Sequence, residues 1–338
     1  MIDRRRAIAG IGAAAAAGLA QQAGARSRTK PPLLNPGDTV GVVAPASAVG
    51  SDDGLERAEW WLRAMGLKPK FGAHAGDRFG YLAGTDADRA ADINAMYRDP
   101  AVRAVFAVRG GWGAARLLPL LDWEAIRRNP KLFIGFSDVT AIHMAFASRA
   151  GYATIHGGNA TSSWPKEEWE SLWRLAFSGE RVVLGGSDIE AAVGRPGRTI
   201  HGGTARGRLL GGNLTIVSTL MGTGWLPDFK GAVLFAEDVD EAEYRIDRMF
   251  AQLKLAGVLD GLAGIVFGQC TDCASTDADY HGFTVDQVID QYLVPLGIPA
   301  FTGANIGHVR NQLCLPSGAP VEIDGDARTL RLLEPIVG

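Results

Sequence analysis

The chain has 338 residues, 47% hydrophobic and 21% charged, with a formal net charge of −3. That supplies ample core and a length suited to roughly two domains, and it leaves no basic footprint for nucleic acid. No apolar run reaches the roughly 18–20 residues of a membrane-spanning helix.

The first 25 residues stand apart. Asp3-Arg4-Arg5-Arg6 precedes an alanine-rich apolar run from Ala7 to Ala20, and Ala23-Gly-Ala25 follows with small-x-small spacing. A charged segment, an apolar segment and a cleavage pattern together predict an export signal over 1–25. The adjacent arginines give it a twin-arginine character, although Ala7 stands where phenylalanine commonly follows the pair. Its removal would leave a periplasmic protein with no membrane anchor. Residues 26–36 read as a tether.

The folded part is expected to begin near residue 37. Thr39 to Ala44 reads as an apolar strand. Ser51 can cap a helix running to Met65, with Leu55, Ala58, Trp61, Leu62 and Met65 on one side and Gly66 as its stop. Leu67 to Phe71 suits a second strand. Thr85-Asp-Ala-Asp88 resembles a capping box with a shorter acid, opening a helix that Asp99-Pro100 ends. Val102 to Val108 is a strand, followed by Arg109-Gly-Gly-Trp-Gly113 and a short helix over 114–121. Leu132 to Ile134 is a buried strand, Gly135-Phe-Ser-Asp138 a sharp turn, and 139–150 a helix. Tyr152 to Ile155 is a further strand. Strands alternating with helices predict a parallel sheet with helices on both faces, over 37–163. Function then gathers at the carboxyl ends of the strands, where Ser137 and Arg109 fall.

Trp164, Trp169, Trp173 and Phe177 suit one amphipathic helix, and 164–198 reads as an inter-domain crossing. A second, mixed α/β domain is expected over 199–338. Thr204 to Leu210 is a strand, Gly211-Gly-Asn213 leads a helix to about Met221, and Lys230 to Ala236 is a strand ending at Glu237-Asp238. A helix over 241–256 closes at Gly257. Leu262 to Phe267 is another strand and Val285 to Leu293 a helix. Pro299 to Phe301 approaches Gly303-Ala-Asn-Ile-Gly-His308. Val321-Glu-Ile and Thr329 to Leu333 form a hairpin around Asp324-Gly325-Asp326.

Ser137 is the pivotal residue. A serine between a strand and a helix sits at the mouth of a sheet beside free backbone N–H groups, as in the Gly-x-Ser-x-Gly elbow of hydrolases. Only the leading glycine matches here, with Val139 in the second glycine's place, and an N-cap is the ordinary role of such a serine.

Taken in order, Arg109-Gly-Gly-Trp-Gly113, Gly135-Phe-Ser-Asp138, Gly211-Gly-Asn-Leu214, Leu234-Phe-Ala-Glu-Asp-Val239 with Tyr244-Arg-Ile-Asp247, and Gly307-His308 with Leu315-Pro-Ser-Gly318 resemble one family. It is the LD-carboxypeptidases of serine peptidase family S66, which includes the microcin C immunity peptidases. The resemblance covers about residues 37–335. It implies an N-terminal Rossmann-like or flavodoxin-like sheet, a C-terminal swivelling domain, and a triad of Ser137, Glu237 and His308. The loop from Cys270 to His281 departs from the family pattern.

In that scheme His308 takes the Ser137 proton and Glu237 orients the imidazole. The Asp138 backbone N–H, with one from Gly110 or Gly111, would bind the oxyanion. Arg109 could hold a substrate carboxylate or make a structural ion pair, and Trp112 lies beside it. Glu237 has rivals: it could pair with Arg245 or Arg248, and Glu241 competes for its role. His143 and His156 compete with His308. Asn159 and Asn213 could reach the cleft.

Cys270-Thr-Asp-Cys273 has metal or redox spacing, but a structural zinc site wants four ligands. A local disulfide or free thiols is the expectation. His201, Asp77 and Asp272 form no coherent metal set, so neither metal nor cofactor is expected. The resemblance makes murein tetrapeptides the expected substrate, cut before the terminal D-alanine, and a homodimer the common assembly. The alternatives are a peptidase for peptide–nucleotide conjugates and a non-catalytic periplasmic muropeptide-binding protein.

Overall fold

A computed structural model describes residues 30–50, 54–186 and 196–338. The export signal, the start of the tether, the Ser51 cap and part of the crossing lie outside the described residues.

Two sheets carry the fold. The first contains β1 (Thr39–Val43), β2 (Lys68–Phe71), β3 (Val102–Ala107), β4 (Leu132–Gly135) and β5 (Thr154–His156), all parallel, in the order β2-β1-β3-β4-β5. That is the flavodoxin-like order, whose ligand crevice lies where neighbouring connections leave in opposite directions, beside β1 and β3. The helices between these strands are α1 (Gly54–Ala64), α2 (Asp86–Arg98), α3 (Trp123–Arg128) and α4 (Thr140–Arg149). Sequence periodicity overlooked α3, a six-residue helix that Asp122 caps through the Ala125 N–H. Thr85 caps α2 as its spacing predicts, accepting from the Asp88 N–H.

The crossing helix is shorter than its aromatic spacing implies. Helix α5 covers Lys166–Leu172 and continues as a π-helical turn over Trp173–Phe177. Trp164 precedes it in a left-handed conformation, with φ 48°. Pro165 stands at the helix start and keeps Trp164 from extending the helix, because the residue before proline is disfavoured in the right-handed helical region.

The second sheet has the order β6-β14-β13-β8-β9-β10-β11-β7. Its members are β6 (Val183–Gly185), β7 (Arg198–His201), β8 (Thr204–Asn213), β9 (Val233–Val239), β10 (Gly264–Thr271), β11 (Ala300–Thr302), β13 (Pro320–Asp324) and β14 (Thr329–Leu332). Strands β8 to β11 are parallel and the flanking ones antiparallel. The helices are α6 (Leu214–Thr219), α7 (Glu243–Leu255) and α8 (Val285–Leu293).

The strand missing from that list, β12 (Leu315–Ser317), returns to the first sheet and pairs antiparallel with β5. The two lobes are therefore interlaced, and 199–338 is not confined to the second sheet. The edge strands β6, β7 and β12 were not legible in the sequence.

Candidate active site

Ser137 follows β4 directly. It is not an N-cap: its φ is 66° and it opens a 3₁₀ turn, Ser137–Val139, that leads into α4. A left-handed serine costs of order 1–3 kcal/mol, a strain typical of functional sites. Asn159, early in the loop after β5, accepts from the Phe136 N–H at 3.3 Å and braces the turn.

Glu237 lies within β9, on the far side of the crevice, and is fully buried. His308 arrives on the irregular segment between β11 and β12. Its Nδ1 lies 2.9 Å from Glu237 Oε2 and its Nε2 3.0 Å from Ser137 Oγ. Three residues far apart in sequence thus form one hydrogen-bonded series. The Phe136 ring packs on the imidazole with centroids 4.9 Å apart.

The electrostatics favour a basic histidine. Burial alone would depress the His308 pKa, but the hydrogen bond and charge of Glu237, with the charge of Asp238, outweigh it and leave it raised. Asp238 is itself pushed up to about 6 by burial and by Glu237. Its oxygens accept from Asn213 Nδ2 and from the Thr215 N–H and hydroxyl, each at 2.9 Å.

The rival assignments separate cleanly. Glu241 pairs with Arg245 at 3.3 Å, away from His308. His143 is buried between Thr154 Oγ1 and the Gly135 carbonyl, both at 2.8 Å, and burial lowers its pKa to about 4. His156 is also buried, and neither ring nitrogen has a partner among the described residues. Asn213 caps α6 and holds Asp238. Asn159 reaches the cleft.

The cleft has a volume of about 440 Å³ and is lined by Arg57, Arg109, Gly110, Asn159, Ser137 and His308, among others. A hollow of similar size, 460 Å³, is bordered by Met221, Pro227 and Lys230 but holds none of this chemistry. Gly110 lies against the elbow: a methyl group there would sit 3.0 Å from Ser137 Oγ and 3.2 Å from the Asp138 nitrogen. The Asp138 N–H is among those a helical turn leaves without an internal acceptor. Gly111 is braced by Ser47, whose Oγ accepts from the Trp112 N–H at 3.0 Å. Trp112 is exposed and does not line the cleft.

Arg109 donates to the Ala48 carbonyl at 3.2 Å, and among the described residues neither it nor Arg57 has an ion pair. Sequence reasoning missed Arg57, whose only signal was its place in the first turns of a helix at the crevice. It also missed Ser47.

Cys270 and Cys273 form a disulfide, and Cys314 is a buried free thiol. One group among the described residues, His74, Asp77 and Asp88, brings potential metal-ligating atoms within 4.8 Å of one another. It lies outside the cleft, and His74 Nδ1 already bonds Asp77 at 2.8 Å.

Serine, histidine and buried carboxylate in series, at the carboxyl ends of a parallel sheet, are the arrangement of a serine-type hydrolase. Family comparison narrows the class. The model of the LD-carboxypeptidase N-terminal domain matches residues 40–157, and that of the C-terminal domain matches 206–323. The chain belongs to the LD-carboxypeptidases, peptidase family S66, and is a serine carboxypeptidase. It is 40% identical to a Streptomyces coelicolor protein provisionally named a carboxypeptidase, over 92% of this chain and 98% of that one. It is 33% identical to the murein tetrapeptide carboxypeptidase of Pseudomonas aeruginosa, over 85% of this chain and 93% of that one. The solved structure of MccF, the Escherichia coli microcin C7 self-immunity protein, in complex with glutamyl sulfamoyl guanosine superposes with a TM-score of 0.81 at 26% identity, covering 91% and 99% of the chains.

Proposed function

We propose that this chain removes the terminal D-alanine from murein tetrapeptides, cutting its amide bond to the L-centre of diaminopimelate. The observation that carries the mechanism is the unbroken series from Ser137 Oγ through His308 to Glu237, at 3.0 and 2.9 Å. His308 Nε2 takes the serine proton as Oγ attacks the carbonyl carbon. The developing oxyanion is held by the Asp138 N–H and the Gly110–Gly111 turn. His308 then protonates the leaving D-alanine amine, and water, activated by the same imidazole, releases the acyl group from Ser137. Arg57 and Arg109, without acidic partners among the described residues, suit the carboxylates of alanine and diaminopimelate.

The likeness to MccF favours a second reading, cleavage of a peptide–nucleotide conjugate. The cleft argues against it. Phe136 is the only phenylalanine, tyrosine or tryptophan among its described lining residues, and its ring already packs against His308, so the described cleft offers no aromatic pair to sandwich a base.

We further propose that the protein is exported and works in the periplasm. The support is the arginine-led, alanine-rich start and a disulfide, which an oxidising compartment favours.

The mature protein is incubated with a disaccharide tetrapeptide and followed by mass spectrometry. Loss of one alanine is expected, abolished in Ser137→Ala. Binding without cleavage would support a muropeptide-binding protein instead. Preference for a peptide–nucleotide conjugate would reverse the substrate assignment.

A further inference from the structure

The ring of His308 is held by Ser137 and Glu237, but its backbone lies in an irregular segment between β11 and β12. The end of β10 grips that segment. Gln269 Nε2 donates to the Gly303 carbonyl at 3.0 Å and the Gln269 N–H to the Ile306 carbonyl at 3.1 Å. The Thr271 hydroxyl donates to the His308 carbonyl itself, at 3.0 Å. The same end of β10 pairs with β9 at Cys270–Asp238 and Thr271–Val239, immediately after Glu237. One strand end therefore sets the distance between the histidine and its carboxylate.

We propose that Thr271, fastened by the Cys270–Cys273 bridge, is a positioning residue for His308. The inference rests on the hydrolytic reading above. The chain turns sharply after Thr271, and Asp272 takes a left-handed conformation with φ 55°, uncommon for a residue other than glycine, although aspartate adopts it more readily than most. The buried bridge joins the residues on either side, with Cα atoms 5.5 Å apart. Closing so short a ring excludes extended states of 270–273, which would otherwise relieve Asp272 and swing the Thr271 hydroxyl from the histidine carbonyl. The Thr271 carbonyl is fixed in turn by the Asp240 N–H at 2.8 Å. Beyond the bridge, residues 274–284 are exposed and add little packing.

Dithiothreitol breaks the S–S bond, leaving two protein thiols and its own cyclic disulfide. Burial raises the pKa of the third cysteine, Cys314, well above the ordinary thiol value and keeps it inert, so alkylation after reduction reports on the bridge alone.

The experiment measures tetrapeptide hydrolysis by wild-type protein, Thr271→Val, Thr271→Ser and the reduced, alkylated protein, with circular dichroism to verify folding and Ser137→Ala as the control. A displaced histidine costs roughly 10- to 100-fold in kcat, with KM within about two-fold because no binding group is lost. Thr271→Ser is expected to recover most of the loss, and reduction to reproduce it. Wild-type kcat in Thr271→Val, or an equal loss in Thr271→Ser, overturns the role of the hydroxyl. Wild-type kcat after verified reduction and alkylation overturns that of the bridge. Activity persisting in Ser137→Ala would instead defeat the hydrolytic mechanism, a separate result.

Discussion

Glu237 gives one oxygen to His308, while the other, Oε1, is buried with no hydrogen-bond partner among the described residues. Such a carboxylate is tolerated chiefly because an imidazolium can form beside it, which suits a group that stabilises charge during a reaction. In the proposed mechanism His308 must be neutral to accept the serine proton. Its pKa is raised above 6.5, so kcat/KM should fall on acidification through a pH higher than an unperturbed histidine would give. Glu237→Gln removes the anion that favours the proton. We expect kcat to drop roughly 10³- to 10⁴-fold and the acid limb to move to lower pH. An unmoved limb in the pH–rate profile would exclude Glu237 as the partner. A different acid, Glu168, adds its own pH dependence to stability. Burial holds Glu168 protonated in the folded chain up to about 8, above its ordinary 4.5. The stability this contributes is fully present below the unfolded value and declines as pH rises toward and past the folded one. Glu168→Gln stays neutral, so its urea midpoint should fall less than that of the wild type between roughly pH 5 and 9. Parallel pH dependences would sink the idea.

At the scale of elements, the strand–turn–helix around Ser137 was readable because β4 is a short apolar run and α4 a longer one. The left-handed serine was not. Val139 occupies the place where a second glycine would have signalled the elbow, and it is fully buried, so it reads as core. The pairing of β12 was hidden for another reason. Three residues that include Pro316 carry no periodicity, and proline suits an edge strand because it lacks an N–H. Thr271 stands inside a Cys-x-x-Cys spacing whose ordinary reading is metal or redox chemistry, not a hydroxyl. The family motifs, by contrast, marked residues whose spacing is dictated by contact. Gly307, with φ 101°, is one: a methyl group there would lie 2.4 Å from Glu237 Oε2. Gly110 is another, since its added carbon would come within 2.8 Å of Ser137 Cβ. Gly110→Ala should therefore crowd the elbow and the oxyanion position together. We expect kcat to fall by roughly 10²-fold or more, with the melting temperature shifted by only a few degrees, on the order of 1–3 kcal/mol of overpacking. Steady-state kinetics beside a thermal melt would check this. Unchanged turnover would place the oxyanion elsewhere.

Across the whole molecule, the candidate nucleophile comes from one sheet, Glu237 from the other and His308 from the segment that joins them, so the chemistry depends on how firmly the lobes are joined. They share more than a surface. Helix α4, which follows the elbow, packs with α6 and β8 of the second lobe in a common apolar cluster that includes Ile142, Leu210 and Leu214. Thr140 Oγ1 accepts from the Asn213 N–H at 3.0 Å, and Arg208 donates to the Ala147 carbonyl at 3.0 Å. Shortly after His308 the chain enters the first sheet as β12, then crosses back as β13 to pair with β8. Unfolding either sheet would thus remove a partner strand or a packed helix from the other. Multidomain chains commonly melt in steps, but this interlacing predicts one transition, with calorimetric and van't Hoff enthalpies in a ratio near one. Scanning calorimetry, with tetrapeptide hydrolysis followed over the same temperatures, is the measurement. Two resolved transitions, with activity lost at the first, would mean that the lobes fold separately and that the Ser137–His308 contact depends on their docking.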